Sequence, residues 1–343
     1  MKIVADINIP FLHGVFEPYA EVVYVEGKEI ERNDIIDADA LIIRTRTKCN
    51  AELLEGTKVR IISTATIGTD HIDMDYCNRS GIIVYNAEGC NAGGVMQYVF
   101  SALYGVAARK SIKLTGANFG IIGVGHVGSK VAEMAEYLGF NLLLCDPPRA
   151  SAEGPDKFCS LDYLLENSSI VTMHTPLDET TRGMAGVDFF SKMRPGAVFV
   201  NASRGEVVDE NALIDAIPKL GAVVIDTWNH EPDINRRLMD LVDIATPHIA
   251  GYSYQGKQNG TASAVQAVAH CFGIVQLYDF FPKSEHPEMQ PLKLDLRGKT
   301  QGEIASIFQY NYPIFTDDFR FRMLPDNFEK MRSEYSYRRE ISI

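Results

Sequence analysis

At 343 residues the chain is long enough for two or three domains with full hydrophobic cores. Its composition is that of an ordinary globular protein, and no stretch approaches the ~20 consecutive apolar residues of a membrane-crossing helix, which argues against a membrane protein. A net charge of −12 argues against a nucleic-acid partner. The six cysteines form no CxxC pair and read as buried thiols of a cytoplasmic protein, with neither a metal site nor a disulfide framework.

The opening MKIVADINIP reads as a strand and not as a signal peptide, because Asp6 and Pro10 interrupt its apolar run. Further strands are expected at 22–25, 41–43, 59–63 and 82–85, separated by helical stretches. Such alternation predicts a parallel sheet with crossover helices, whose ligands sit at the carboxyl ends of the strands. Two polar loops fall at such ends. Arg44-Thr45-Arg46-Thr47-Lys48 carries three cations and two hydroxyls, suited to an anionic substrate, although a solvated basic loop has the same composition. Residues 63–71, STATIGTDH, can hold a carboxylate through hydroxyls and backbone N–H groups, or form an ordinary capped turn.

Residues 91–110 read as a long apolar helix leading into the most informative stretch, GIIGVGHVGSKVAEMAEYLGFNLLLCD. Here an apolar strand precedes Gly123, Gly125 and Gly128 in GxGxxG spacing. A helical pattern follows, then a second strand ending in Asp146. Gly123 permits the tight turn, Gly125 lets backbone approach a pyrophosphate, and Gly128 lets helix and strand pack closely. The helix N-terminus attracts the phosphates, and Asp146 suits the two hydroxyls of an adenosine ribose, favouring NAD over NADP. Arg149, just beyond it, leaves some NADP use open. Strands at 170–173, 197–200, 223–225 and 244–245 continue the alternation, and each ends in a polar motif. A helical pattern over 257–280 is expected to return to the first domain. The Pro-rich residues 282–298 read as a linker, and Thr300 and Glu303 as a capping box opening an aromatic tail.

Three of those strand ends carry a candidate catalytic set. Arg204, in NASRG, offers a planar fork for a carboxylate and an adjacent oxygen. His248, in TPHIAG, can carry the proton of a hydroxyl under oxidation, and Glu231, in NHEP, can hold that imidazole. Spacing alone also allows a surface arginine and a structural histidine. His13, His270 and His286 read as structural or solvated. His126 and His230 read as lining residues, and His71 and His174 as loop residues without an acid partner.

The motifs GIIGVGHVG, HTP, MRPGA, NASRGEVVD, DTWNHEP and TPHIAGY, in this order and spacing, resemble the D-isomer-specific 2-hydroxyacid dehydrogenase family over residues 1–280. The resemblance implies an α/β fold: two Rossmann-like or flavodoxin-like parallel-sheet domains with a cleft between them, and a small α+β C-terminal dimerisation appendage. The corresponding boundaries are 1–90 with 256–281 for substrate binding, 91–255 for NAD, and 282–343 for the appendage. It further implies Arg204, Glu231 and His248 as catalytic residues. Asp146, Thr175, Asp226 and Gly251 should contact NAD, and Thr45, Thr66 and Tyr252 the substrate. Together with Arg44 and Arg46, these imply a small phosphorylated hydroxy acid as substrate and a homodimer as the assembly. Thr227 stands where the family usually has valine, and Gln97 where an acid is common. Other members of the family, such as 3-phosphoglycerate dehydrogenases and hydroxypyruvate reductases, and its NAD-sensing corepressors remain alternatives.

Overall fold

Strands buried on both faces have no polar side to show, so they read as unbroken hydrophobic runs. Ala40–Ile43 and Ala222–Ile225 are such runs; Ile61–Thr64, Ile170–Met173 and Val198–Asn201 are also buried at every residue but include the polar Ser63, Thr64, Thr172 and Asn201. The computed structural model, which describes residues 1–284 and 287–343, assembles them into two parallel sheets. Its contacts divide the chain into two units, Met1–Asn91 with Ser253–Gln290, and Ala92–Tyr252 with Pro291–Ile343.

In the first unit, β1 (Lys2–Asp6), β2 (Glu21–Val25), β3 (Ala40–Ile43), β4 (Ile61–Thr64) and β5 (Ile83–Asn86) pair in the order β2-β1-β3-β4-β5. The strand order reverses between β1 and β3, and their carboxyl ends present Asp6 and Arg44 side by side. Alternate residues feed two cores: Ile3, Ala5, Ala40 and Ile42 on one face, Val4, Leu41 and Ile43 on the other. The helix Tyr254–Phe272 belongs to the first of these cores through Ala264, Val265, Val268 and Ala269. Ser63 Oγ donates to the Ala264 carbonyl at 3.3 Å.

That helix is shorter than its expected span of 257–280. Gly273 takes φ 73° and closes it with a left-handed cap, so Val275 falls outside and is 66% exposed. Strand β4 begins two residues later than expected. His286 lies outside the described residues.

In the second unit, β6 (Asn118–Ile122), β7 (Asn141–Cys145), β8 (Ile170–Met173), β9 (Val198–Asn201), β10 (Ala222–Ile225) and β11 (Ile244–Ala245) pair in the order β11-β10-β9-β8-β6-β7. This is the doubly wound order, with its reversal between β6 and β8. The apolar helix Ala92–Lys110 packs into one core, through Tyr98, Val99, Phe100, Leu103 and Val106. The same core takes in Leu296, Ile304, Phe308, Ile314 and Ile341 of the tail. Phe308 stacks on Tyr104 and Phe100 at centroid distances of 5.5 and 6.0 Å. Phe321 and Phe328 enter the opposite core. Burying side chains of this size contributes about 1.5–3 kcal/mol each. The tail therefore belongs to the body of the second unit. The capping box of Thr300 and Glu303 opens its helix Gln301–Asn311. Strands β12 (Leu292–Lys293) and β13 (Ile341–Ser342) tie its ends together; two-residue strands leave no periodicity to read in sequence.

Candidate active site

In the second unit the carboxyl ends, taken across the sheet from β11 to β7, carry His248, Asp226, Arg204, Thr175, Gly123 and Asp146 in that order. One sheet edge thus runs from the catalytic candidates to the nucleotide candidates.

The nucleotide half is built on close backbone approach. Gly123 has φ 81°, and a Cβ there would lie 2.7 Å from the His174 carbonyl of the β8 loop. A Cβ on Gly128 would lie 2.0 Å from the Gly123 carbonyl. Gly125 is different: a Cβ there meets nothing within 4 Å. It N-caps the helix His126–Tyr137 without any side-chain cap, leaving open space in front of that helix's N–H groups. Asp146 caps the helix Pro147–Glu153, accepting from Arg149 N at 3.0 Å and from Val124 N at 2.7 Å. Each carboxylate oxygen has two acceptor positions, so capacity for ribose hydroxyls is left. Arg149 is tied to the Val124 carbonyl and to Glu153. Thr175 is nearly buried, and its hydroxyl has no partner. A buried orphan hydroxyl beside an open glycine turn is what a dinucleotide site needs, so these residues fit NAD.

The catalytic half centres on His248. Its Nδ1 lies 2.8 Å from Glu231 Oε2. A carboxylate can only accept, so Nδ1 carries the hydrogen and Nε2 is left to exchange a proton. Burial alone would raise Glu231. The charge and hydrogen bond of His248, the charge of Arg332 and the Trp228 N–H outweigh it, holding Glu231 below the usual carboxylate range and ionised. Trp228 anchors this segment: its ring is buried, and its Nε1 donates to the Thr246 carbonyl at 2.9 Å. A Cβ on Gly205 would lie 2.0 Å from the Trp228 carbonyl carbon, so the turn that presents Arg204 is pressed against the Glu231 segment. Arg204 itself is half-buried and donates to the Ser203 carbonyl at 2.8 Å.

His248 has φ 56°, a left-handed conformation that costs a non-glycine residue on the order of 1–3 kcal/mol. Asp226 holds it there. The residue is fully buried; its backbone carbonyl accepts from His248 N, and its carboxylate accepts from Thr246 Oγ1, Ile249 N and Ala250 N at 2.7–2.9 Å. Burial raises its pKa, an effect opposed by the charge of His248 and by these hydrogen bonds. The carboxylate thus ties the β10 end to the loop that follows β11. Gly251 and Tyr252 complete the loop, with the Tyr252 ring 5.9 Å from Tyr335 and 6.3 Å from Tyr337.

In the first unit the basic loop is partly compensated. Arg44 Nε donates to Asp6 Oδ2 at 2.8 Å, and Asp6 is fully buried. Thr45 is exposed, Arg46 half-buried, and Thr47 donates to the Gly27 carbonyl. Thr66 shares a 2.7 Å hydrogen bond with the buried Thr64. Asp6, Trp228 and the tail arginines did not stand out in the sequence. Among the described residues no group of three His, Cys, Asp or Glu side chains is placed to hold a metal ion.

Four of the other histidines are packed within the fold. His13 stacks on Tyr24 and His270 on Tyr278, with centroids 3.8 and 4.0 Å apart. Burial pushes His71 down to about 4 and His174 down to about 3. Both are neutral in the fold, whereas the unfolded chain protonates them near pH 6.5. Their contribution is present above pH 6.5 and is lost as pH falls from there toward 4 and 3. Urea unfolding should show declining stability between pH 7.5 and pH 5. His174→Gln should flatten the decline, and an unchanged slope would show that His174 is not buried neutral. Buried Asp226 has the opposite sign, so the difference between variant and parent isolates the histidine.

The chain is similar to known proteins over nearly its whole length. Residues 98–250 match the family described as D-isomer specific 2-hydroxyacid dehydrogenase, NAD binding domain. An erythronate-4-phosphate dehydrogenase of Bacteroides thetaiotaomicron is 43% identical, with 99% of this chain and 97% of that one covered. Its namesake in Chromohalobacter salexigens is 39% identical over 100% and 92%. Among solved structures, the NAD⁺-bound 3-phosphoglycerate dehydrogenase of Entamoeba histolytica is 28% identical with a TM-score of 0.68, covering 79% of this chain and 95% of that one. The D-lactate dehydrogenase of Aquifex aeolicus, complexed with NAD and lactic acid, shares the fold at TM-score 0.66 and 24% identity, over 83% and 100%. The chain belongs to the D-isomer-specific 2-hydroxyacid dehydrogenase family, with NAD as its cofactor.

Proposed function

We propose that the protein oxidises 4-phospho-D-erythronate to (R)-3-hydroxy-2-oxo-4-phosphooxybutanoate, a step of pyridoxal 5′-phosphate biosynthesis in the cytoplasm. The observation that carries the reaction type is the 2.8 Å His248–Glu231 pair on the same sheet edge as Arg204 and the glycine turn. The substrate reading rests on the residue 44–48 loop together with the names of the full-length relatives.

NAD, when bound, supplies the hydride acceptor; Gly123, Gly125, Gly128, Asp146, Thr175 and Gly251 hold it. Arg204 binds the substrate carboxylate and draws electron density from carbon 2. His248 Nε2 takes the proton of the carbon-2 hydroxyl as the hydride leaves that carbon, and Glu231 stabilises the imidazolium that results. Asp226 acts through the backbone of the His248 loop. Thr45, Thr66 and Tyr252 bind the rest of the substrate, with Arg44 and Arg46 supplying positive charge for the phosphate. Exposed Tyr310, Phe319 and Met323 on the tail helices support a homodimer.

The test is steady-state oxidation of 4-phospho-D-erythronate beside unphosphorylated D-erythronate, 3-phosphoglycerate and D-lactate. A higher kcat/KM for 3-phosphoglycerate or D-lactate would replace this substrate with another of the family.

A further inference from the structure

The loop that carries His248 is gripped twice. Asp226 takes N–H groups on one side of it. On the other side the carbonyls of the same loop converge on one arginine of the C-terminal segment. Arg338 Nη1 donates to the carbonyls of Ile249 and Tyr252 at 3.2 and 3.1 Å, and Nη2 donates to the carbonyl of Ala250. Nη2 also reaches the Gly94 carbonyl, in the first turn of the helix Ala92–Lys110, at 3.0 Å. The guanidinium is nearly buried and lies 4.2 Å from the centroid of the Tyr312 ring. Peptide units 248–252 are therefore held between the buried Asp226 carboxyl on their N–H groups and the buried Arg338 guanidinium on their carbonyls. The guanidinium charge strengthens hydrogen bonds that would be weaker from a neutral donor.

The rest of the tail closes on the same place. Asp318 accepts from Ala245 N at 2.7 Å, just before the loop, and is itself paired with Arg322. Tyr335 and Tyr337 pack edge-on against Tyr252. Arg332 lies 6.0 Å from that ring's centroid and contributes positive charge at Glu231. A solvated tail or one serving assembly alone has no use for a buried arginine directed at backbone carbonyls.

We infer that Arg338 is a positioning residue for the reaction: with Asp226 it fixes the left-handed backbone of His248 and the placement of Tyr252, which makes the C-terminal segment part of the catalytic unit. This rests on His248 acting as the proton acceptor. Only a planar fork reaches three carbonyls of one loop, so lysine is not an equivalent.

The experiment is a double-mutant cycle between Arg338 and His248, with rates expressed per NADH-binding site so that unfolded protein does not count. Arg338→Lys, which keeps a charge in the buried site, is used beside Arg338→Met in case the latter fails to fold. Arg338→Lys should lower kcat about tenfold or more while the Kd for NADH stays within about twofold. In the His248→Asn background the same change should cost less than about twofold, because the group it positions is gone. Equal losses in both backgrounds, or an unchanged kcat in the single variant, would overturn the inference. Failure of the underlying reading looks different: His248→Asn alone would then leave turnover intact.

Discussion

Replacing His248 by Asn should lower kcat by a factor on the order of a hundred or more, because positioned proton transfer contributes about 10²–10⁴-fold. Asparagine is short and polar and tolerates the left-handed backbone at this position, so the change removes the proton acceptor without a new conformational demand. The Asp226 and Arg338 contacts to the loop involve backbone atoms of neighbouring residues and survive the substitution. Affinity for NADH should change little. Turnover would be measured with saturating substrate, and a variant within about threefold of the parent would remove His248 from the chemistry.

Gly125→Ala should weaken NAD binding by a factor of about 30 or more, equivalent to roughly 2 kcal/mol, while the protein remains folded. The added methyl meets no protein atom within 4 Å, so the apo fold has nothing to repel it. Its space is the approach to the N–H groups at the start of the helix His126–Tyr137, which the pyrophosphate requires. Loss of glycine at the cap itself costs at most about 1 kcal/mol, a few degrees of Tm in a protein of this size. Gly128→Ala is the contrast. Its methyl would sit 2.0 Å from the Gly123 carbonyl, so it should lower stability and NAD affinity together. Fluorescence titration with NADH and thermal unfolding separate the two. Unchanged NADH affinity in Gly125→Ala would place the cofactor elsewhere.

The second sheet was legible in the sequence because parallel strands sealed on both faces are mostly apolar, and because a polar motif follows each such run. Its edge order, from His248 to Asp146, follows from the doubly wound connection of those strands. Long-range electrostatics was less legible. The Asp6–Arg44 pair joins residues 38 positions apart, and Asp6 alone reads only as an interruption of an apolar run. Arg338, in YSYRREISI, has the local texture of a surface segment, and only the packing of the tail explains its burial. The early helix stop was different: Gly273 carries the signal, and an apolar pattern that continued beyond it concealed the cap. Gln97 is fully buried with no partner for either amide atom, and nothing in the structure explains its presence.

The phosphate is what separates the proposed substrate from a plain hydroxy acid. The most direct measurement is kcat/KM for 4-phospho-D-erythronate relative to D-erythronate, with NAD, at fixed ionic strength. Charge-assisted hydrogen bonds contribute about 1.5–3 kcal/mol each, so one or two to the phosphate predict a preference on the order of a hundredfold or more. Equal kcat/KM values for the two acids would contradict a phosphate role for the residue 44–48 loop, and with it the proposed substrate.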